Sequence, residues 1–172
     1  MTDTEYEAFV SANWDRYLRL AYLLTGSEHV AEELVQDCLV ELYARWRRVS
    51  RLGDPHAYVR RMLANGNVSR WRRTRRERLV DVLPESGAAG GAYGEPQQER
   101  DQAAQLRQAL LRLPPGQRAV AVLRHFEDLS EKQVAEVLGC SVGTVKSQNA
   151  KALAALRRHL GTHLDEQTRS LT

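Results

Sequence analysis

The stretch from residue 81 to residue 98 is the feature that most limits how this chain can fold. It contains four glycines and two prolines but few large apolar side chains, so it has little apolar surface to bury in a core. The segments on either side have helical periodicity, and each is long enough for one small core. The sequence therefore predicts an all-α protein of two small helical domains, residues 1–80 and 99–163, with a flexible linker at 81–98 and a polar tail at 164–172.

Apolar residues recur at helical spacing through the first domain. Residues 5–24 form one apolar stripe, which Gly26 ends, and residues 28–48 form a second stripe after the potential N-cap Ser27. The outward side of this second helix is acidic and carries Glu32, Glu33, Gln36, Asp37 and Glu41. Paired carboxylates alone do not indicate catalysis here, because no catalytic arrangement of a nucleophile and a histidine accompanies them. The face is either solvated or a docking surface for a basic protein.

A third helix is predicted to begin at Asp54-Pro55, since an acidic N-cap and a proline at the first helical position are both favoured. Asn65-Gly66-Asn67 is typical of a turn, so we expect a separate basic helix from Val68 to Arg78. That helix contains six arginines between positions 70 and 78. Guanidinium groups bind phosphate, and Trp71 could stack on an exposed base, with Tyr58 as a second aromatic. The alternative is a solvated basic helix with Trp71 in the core.

Charge is segregated along the first domain. Residues 1–50 hold nine acidic and five basic side chains, whereas residues 51–80 hold nine arginines and two acidic residues. Two surfaces of opposite sign indicate two different partners.

Residues 130–153 have the pattern of a helix-turn-helix. Gly139 follows the first helix where a residue without Cβ is favoured, and Ser141 stands where an N-cap belongs. The apolar positions of the two helices are Val134, Ala135, Val137, Leu138, Val142, Val145, Ala152, Leu153 and Leu156. The outward face of the second helix has donors and no carboxylate: Thr144, Lys146, Ser147, Gln148, Asn149 and Lys151. Such a face suits a polyanion, and its amides can read base edges; an ordinary hairpin with a solvated face is the alternative.

No sequence feature supports an enzyme or a cofactor. His159 and His163 are four residues apart, but a third ligand is missing and Gly161 is expected to end the helix between them, so we expect no metal site. Cys38 and Cys140, both on predicted helices, fit a reducing compartment better than a disulfide scaffold. Neither a signal peptide nor a membrane-spanning run is evident, so we expect a cytoplasmic protein without a membrane partner.

Taken in order, these segments resemble the extracytoplasmic-function sigma factors of bacterial RNA polymerase. The resemblance covers about Phe9 to Leu160 and rests on three motifs: AEELVQDCLVELYARW, DPHAYVRRMLANGNVSRWRRTRRE and LRQALLRLPPGQRAVAVLRHFEDLSEKQVAEVLGCSVGTVKS. It implies a subunit that directs core RNA polymerase to promoters and helps to open the duplex. The implied partners are core RNA polymerase, promoter DNA and, as in many members, an anti-sigma factor.

The resemblance also implies residue roles. Docking on core polymerase would use Glu33, Leu34, Gln36, Asp37 and Glu41. Recognition and melting of the −10 element by the first domain would use Tyr58, Arg61, Asn65, Asn67, Arg70, Trp71, Arg72 and Arg73. Recognition of the −35 element by the second domain would use Ser141, Gly143, Thr144, Lys146, Ser147, Gln148 and Lys151. Many members have arginine where Gln148 stands and an apolar residue where Asn149 stands, so the promoter sequence does not carry over.

Two other classes of protein remain open. A free-standing helix-turn-helix regulator would use the same recognition helix, but it leaves residues 28–80 without a role. An RNA-binding or scaffold protein would use the arginine-rich helix.

Overall fold

Seven helices make up the part of the chain that the structure, a computed structural model, describes: residues 2–77 and 97–169. Their bounds are α1 Thr2–Thr25, α2 Glu28–Leu52, α3 Pro55–Glu77, α4 Gln97–Leu111, α5 Pro115–His125, α6 Glu131–Leu138 and α7 Val142–Arg169. The predicted all-α class with two small helical units is confirmed. The predicted linker lies outside the described residues except for Gln97 and Gln98, which already begin α4.

The first unit contains α1, α2 and α3 together with residues 136–139. The sequence predicted where two of these three helices begin. The Ser27 side chain accepts a hydrogen bond from the Val30 N–H at 3.4 Å and caps α2. Asp54 Oδ1 accepts from the His56 N–H at 2.8 Å, just ahead of Pro55 at the start of α3. Both predicted helix starts are therefore confirmed. The capping side chains accept hydrogen bonds from amide groups that the start of a helix leaves unpaired.

The core of the first unit is formed by residues from all three helices. The largest buried contributors are Tyr17, Leu20, Leu24, Leu34, Val35, Leu42, Trp46, Val59 and Leu63. Tyr6 on α1 donates its hydroxyl to the Leu39 carbonyl at 2.7 Å, which ties α1 to α2. This packing fixes which side of α2 faces outward.

The predicted turn at Asn65-Gly66-Asn67 is wrong, because α3 runs unbroken through these residues. A Cβ at Gly66 would lie 2.9 Å from Leu34 Cδ1, so the glycine permits a close approach of α3 to α2. Asn67 is buried, and its side-chain amide donates to the Leu24 carbonyl at 3.1 Å. The residues that suggested a turn are thus used for helix packing.

Replacing Gly66 with valine should lower the free energy of unfolding by about 2 kcal/mol, since overfilling a packed contact usually costs 1–3 kcal/mol. Thermal and urea denaturation would measure the change. Gly116→Val is the matched control, because a Cβ at Gly116 meets no atom within 4 Å. Equal effects of the two substitutions would show that the close approach to Leu34 is not what requires glycine.

The second unit contains α4, α5, the start of α6 and α7, and the turn between α6 and α7 follows the sequence prediction. Gly139 has a φ of +66°, a left-handed conformation that favours glycine. Ser141 Oγ accepts from the Thr144 N–H at 3.1 Å and caps α7. At the start of α6, Ser130 and Gln133 exchange hydrogen bonds with each other's backbone amides at 2.8 and 3.2 Å, which is a reciprocal capping box.

Three details of the second unit differ from the sequence predictions. Gly161 does not end its helix, because α7 continues to Arg169 and includes the start of the predicted tail; its φ is not positive, and single glycines are tolerated inside helices. Val142 is exposed although it was expected on the apolar face, whereas Val145 is fully buried. Cys140 lies in the turn between α6 and α7 rather than on a helix.

Among the described residues, no helix is both long and apolar enough to cross a membrane.

Candidate nucleic-acid and protein interfaces

A groove between α2 and α3 brings together the acidic and the basic residues that the sequence singled out. Its volume is about 310 Å³. Asp37 and Glu41 line it from α2, and Arg70 and Arg73 line it from α3. Acidic side chains of α2 and basic side chains of α3, which were predicted to bind different partners, therefore face each other across the groove. The first unit can present an acidic helix to one partner and a basic helix to another.

Glu33 connects these two helices directly. Its Oε2 lies 3.0 Å from Arg70 Nη2 on α3, and its Oε1 lies 3.3 Å from His29 Nε2 one turn earlier on α2. Both groups are partly exposed, so the ion pair contributes modestly to stability. A substitution of Glu33 would therefore change the acidic surface of α2 and also remove the ion-pair partner of Arg70 on α3.

Arg45 makes a second polar link between α2 and α3. It pairs with Glu41 on its own helix, and it also interacts with Tyr58 on α3. Attraction to Tyr58 and then to Glu41 raises the pKa of the Arg45 guanidinium above its usual value. Tyr58, a predicted −10 residue, is thus held by the acidic helix.

Two of the predicted contact residues are buried. Leu34 is only 4% exposed and lies beneath the groove against Gly66. Asn67 uses its amide to bind the Leu24 carbonyl inside the unit. Neither side chain is available to an outside partner in this packing. Both instead pack beneath the surface and support it.

Val40 and Tyr43 are exposed apolar residues on α2 that the sequence prediction missed. Val40 is 71% exposed and Tyr43 is 53% exposed. They lie three and six residues after Asp37, on the outward side of the helix. A signal was available, since Val40 is a large apolar residue that falls among the acidic positions rather than on the buried stripe. Exposed apolar residues within a polar surface are a common feature of interfaces.

The arginine-rich part of α3 is solvent-facing. Arg61, Arg72 and Arg73 are exposed, while Tyr58, Asn65 and Arg70 are half-buried. Trp71 is also exposed, so the alternative that placed it in the core is wrong. Exposed guanidinium groups and a partly exposed indole can together contact a nucleic-acid backbone and bases.

Cys38 is buried at the floor of the groove. Burial, followed by the neighbouring Asp37 and Glu41 carboxylates, raises the pKa of the Cys38 thiol from 9.0 to about 12. The thiolate is the reactive form of cysteine, so this thiol is inert at neutral pH.

Alkylation should therefore separate the two cysteines. At pH 8 we expect iodoacetamide to label the half-buried Cys140 at least about 100-fold faster than Cys38, as followed by peptide mass spectrometry. The unfolded thiol ionises near 9.0 and the folded one near 12, so the Cys38 contribution to stability is complete below pH 9 and declines as the pH rises towards 12. Equal labelling rates in the folded protein would contradict this assignment.

The second unit presents the N-terminal part of α7. The exposed residues are Ser141, Gly143, Thr144, Lys146, Ser147 and Lys151, and Gln148 is half-buried. The Ser141 hydroxyl is already engaged as the helix cap, and Lys146 Nζ lies 3.8 Å from Glu131 Oε2 on α6. The remaining donors are the face that a helix-turn-helix inserts into a major groove.

Asn149 has a partner that explains its polarity. Its Oδ1 lies 3.0 Å from His125 Nε2 at the end of α5. The sequence placed Asn149 on the outward polar face of this helix and showed it as a departure from the apolar residue expected there. The tertiary contact makes it one half of a His–Asn pair that joins α5 to α7.

Arg118 is a buried charge with a structural role. This buried residue of α5 donates three hydrogen bonds, to the carbonyls of Leu110 at 2.9 Å, Leu111 at 3.1 Å and Leu113 at 3.0 Å. Burial lowers the pKa of its guanidinium. The contacts supply donors to carbonyls at and just after the end of α4, where the helix leaves acceptors unpaired, although the Leu110 carbonyl also accepts the Leu113 N–H at 3.1 Å. They hold α4 against α5.

Within residues 2–77 and 97–169 there is no group of three or more His, Cys, Asp or Glu side chains that could hold a metal ion.

Comparison with known proteins gives two family matches and several relatives over most of the chain. The profile of Sigma-70 region 2 matches residues 9–77, and that of Sigma-70, region 4, matches residues 103–156. RNA polymerase sigma-E factor of Streptomyces coelicolor is 38% identical over 159 residues, 91% of this chain and 86% of that protein. ECF RNA polymerase sigma factor SigE of Mycolicibacterium smegmatis is 31% identical, over 96% of this chain and 65% of that protein.

A solved structure is also similar. The sigma factor RpoE of Bartonella quintana, crystallised in complex with the anti-sigma factor NepR, matches with a TM-score of 0.75 and 26% identity. The match covers 91% of this chain and 97% of that one.

Proposed function

This chain belongs to the extracytoplasmic-function sigma factors, which direct bacterial RNA polymerase to promoters, and we propose that its two units divide that task. Such a protein is a transcription-initiation subunit rather than a member of an enzyme class. The first unit, assigned to residues 1–80, docks on core polymerase and captures the −10 element. The second unit, assigned to residues 99–163, reads the −35 element.

One observation carries the proposal for the first unit. The groove separates exposed carboxylates on α2 from arginines on α3, so two neighbouring helices suit partners of opposite charge. A basic protein surface complements α2, and the phosphates of DNA complement α3. A sigma factor needs both contacts at once.

Docking on core polymerase is assigned to Gln36, Asp37 and Glu41, with Val40 between them. Glu33 borders this surface and is shared with Arg70, while Leu34 supports it from the core. Exposed carboxylates steer a basic partner, and a solvent-exposed valine supplies apolar contact once water is excluded.

Capture of the −10 element is assigned to the exposed arginines Arg61, Arg72 and Arg73 and to Trp71. Arg70 joins them when its pair with Glu33 opens. Tyr58 and Asn65 lie at the half-buried border of the same helix and complete the base-reading surface. Opening a duplex requires unstacking energy of a few kcal/mol per step, which stacking of released bases on aromatic side chains offsets.

Reading of the −35 element is assigned to the first turns of α7. Thr144, Lys146, Ser147, Gln148 and Lys151 supply donors to bases and phosphates, and the backbone at Gly143 allows close approach. Each unit alone makes few phosphate contacts, so free duplex binding is weak until polymerase holds both units in place.

The chain acts in the bacterial cytoplasm, where polymerase and DNA are found. An anti-sigma factor is a further partner, as the complex of the Bartonella quintana sigma factor illustrates. A protein that covers α2 would block the acidic face and prevent docking.

Run-off transcription tests the proposal. Bacterial core polymerase, with and without this protein, is supplied with a promoter library. We expect protein-dependent transcripts that share two upstream elements, one for each unit. Absence of transcripts, together with tight and salt-sensitive duplex binding by the protein alone, would instead identify a free-standing regulator.

A further inference from the structure

The outward side of α2 changes character along its length. It is acidic at Asp37 and Glu41, apolar at Val40 and Tyr43, and basic at Arg47 and Arg48. All six residues are exposed and lie in two adjacent rows at spacings of three and four residues, which share one face of a helix. We call this surface the α2 ridge. From Asp37 to Arg48 it rises about 16 Å, at 1.5 Å per residue.

A pocket of about 410 Å³ lies at the basic end of the α2 ridge, beside the start of α1. Arg47 and Arg48 line it and form no ion pair within the part of the chain that the structure describes. Two other charged residues line its wall: Asp3, which accepts a hydrogen bond from the Tyr43 hydroxyl at 3.2 Å, and Arg45, which pairs with Glu41. The lining thus holds three arginines and one aspartate. The pocket therefore has a surplus of positive charge.

Trp46 also lines this pocket, and its buried side chain carries an unsatisfied donor. The residue is 6% exposed, and its ring packs against Tyr6 and Phe9 with centroid distances of 5.4 and 5.1 Å. Its indole N–H is buried and has no acceptor among the described residues. Buried donors are almost always paired. The N–H is closed to solvent in this packing, so a partner's acceptor reaches it only when the side chains that cover it shift.

We infer that the docking element of core polymerase carries charges of both signs, with basic residues opposite Asp37 and a carboxylate that enters the pocket at Trp46. The inference rests on the proposed docking function of α2 and extends it to the basic end of the ridge. A carboxylate matches two guanidinium groups and an indole N–H, whereas a uniformly basic partner would be repelled there. On a partner helix aligned with α2, the two charged groups lie about three turns apart, with apolar contact to Val40 and Tyr43 between them.

Binding of the full-length labelled protein to core polymerase, without DNA, tests the inference. The double variant Arg47→Glu/Arg48→Glu should bind at least about tenfold more weakly, and the difference should shrink in high salt. The milder Arg47→Gln/Arg48→Gln should fall between it and the unmodified chain, and Trp46→Phe should weaken binding about threefold by removing the donor. Arg19→Glu, an exposed charge reversal on α1, is the matched control and should have no effect. Circular dichroism verifies the fold of each variant.

The outcomes are distinguishable. If the arginine variants bind core polymerase normally while Asp37→Arg does not, the inference is overturned and the proposed docking function stands. If Asp37→Arg also binds normally, the docking function of α2 fails and the inference fails with it. If the arginine variants bind polymerase normally but weaken promoter binding by the assembled enzyme, the basic end contacts DNA and the inference is again overturned.

Discussion

Replacing Arg118 with alanine should destabilise the second unit by about 3–4 kcal/mol. The substitution removes the side-chain donor of the Leu111 and Leu113 carbonyls and leaves the Leu110 carbonyl with only the Leu113 N–H. Each unsatisfied buried acceptor costs about 1–3 kcal/mol, with incomplete additivity. Such a loss is a large fraction of the 5–15 kcal/mol that is typical of a whole domain.

Urea denaturation combined with hydrogen exchange would measure this effect, with loss of protection expected first in α4 and α5. Arg118→Lys should cost about 2 kcal/mol, because an ammonium keeps the charge but does not reproduce the fork of donors. Arg112→Ala is the control, since Arg112 is exposed on the same unit and should change stability by less than about 0.5 kcal/mol. A similar loss in the control would contradict the assignment to the three carbonyls.

Replacing Asp37 with arginine should reduce promoter-dependent transcription by about 30-fold or more, which corresponds to about 2 kcal/mol of lost interaction with core polymerase. Asp37 is exposed on the α2 ridge, so the reversal places a positive charge against a basic partner without disturbing the core. Binding of the isolated protein to duplex DNA should not weaken, because the variant adds a positive charge beside the arginines of α3.

Asp37 is a cleaner position for this test than Glu33. A reversal at Glu33 would also break its ion pair with Arg70 and so disturb α3, the helix to which we assign DNA binding, at the same time. Asp15→Arg provides the control, as an exposed acidic residue on α1. If transcription by the Asp37 variant equalled that of the unmodified chain, α2 would not be the docking surface.

The sequence predicted the helices well where capping chemistry is local. Ser27, Asp54-Pro55 and Ser141 mark helix starts through hydrogen bonds within three residues, and Gly139 follows a helix end with a positive φ. The structure confirms all of them. Asn65-Gly66-Asn67 was misread because the same residue types serve both turns and close helix packing. What distinguishes the two uses is the position of Leu34 and Leu24, which are more than thirty residues away along the chain.

The sequence likewise predicted some features of the candidate surfaces and missed others. Charge and helical periodicity identified the acidic side of α2, the arginines of α3 and the polar face of α7. They did not reveal that Arg70 pairs with Glu33, that Asn149 pairs with His125, or that Arg118 is buried. These pairings join residues on different helices, and no local pattern encodes them.

The sequence by itself determined the helical class, the division into two small units and the sign of charge on each helix, since these follow from periodicity, glycine and proline content, and composition. Only the tertiary structure decided which charged residues are available to partners. Availability depends on how the helices pack. The close approach of α3 at Gly66 places acidic and basic side chains on opposite sides of one groove, and Cys38 is buried beneath it. The same packing leaves Val40 and Tyr43 exposed on α2, next to the pocket at Trp46. Exposure and pairing depend on three-dimensional proximity, and proximity between distant residues is fixed only when the core is packed.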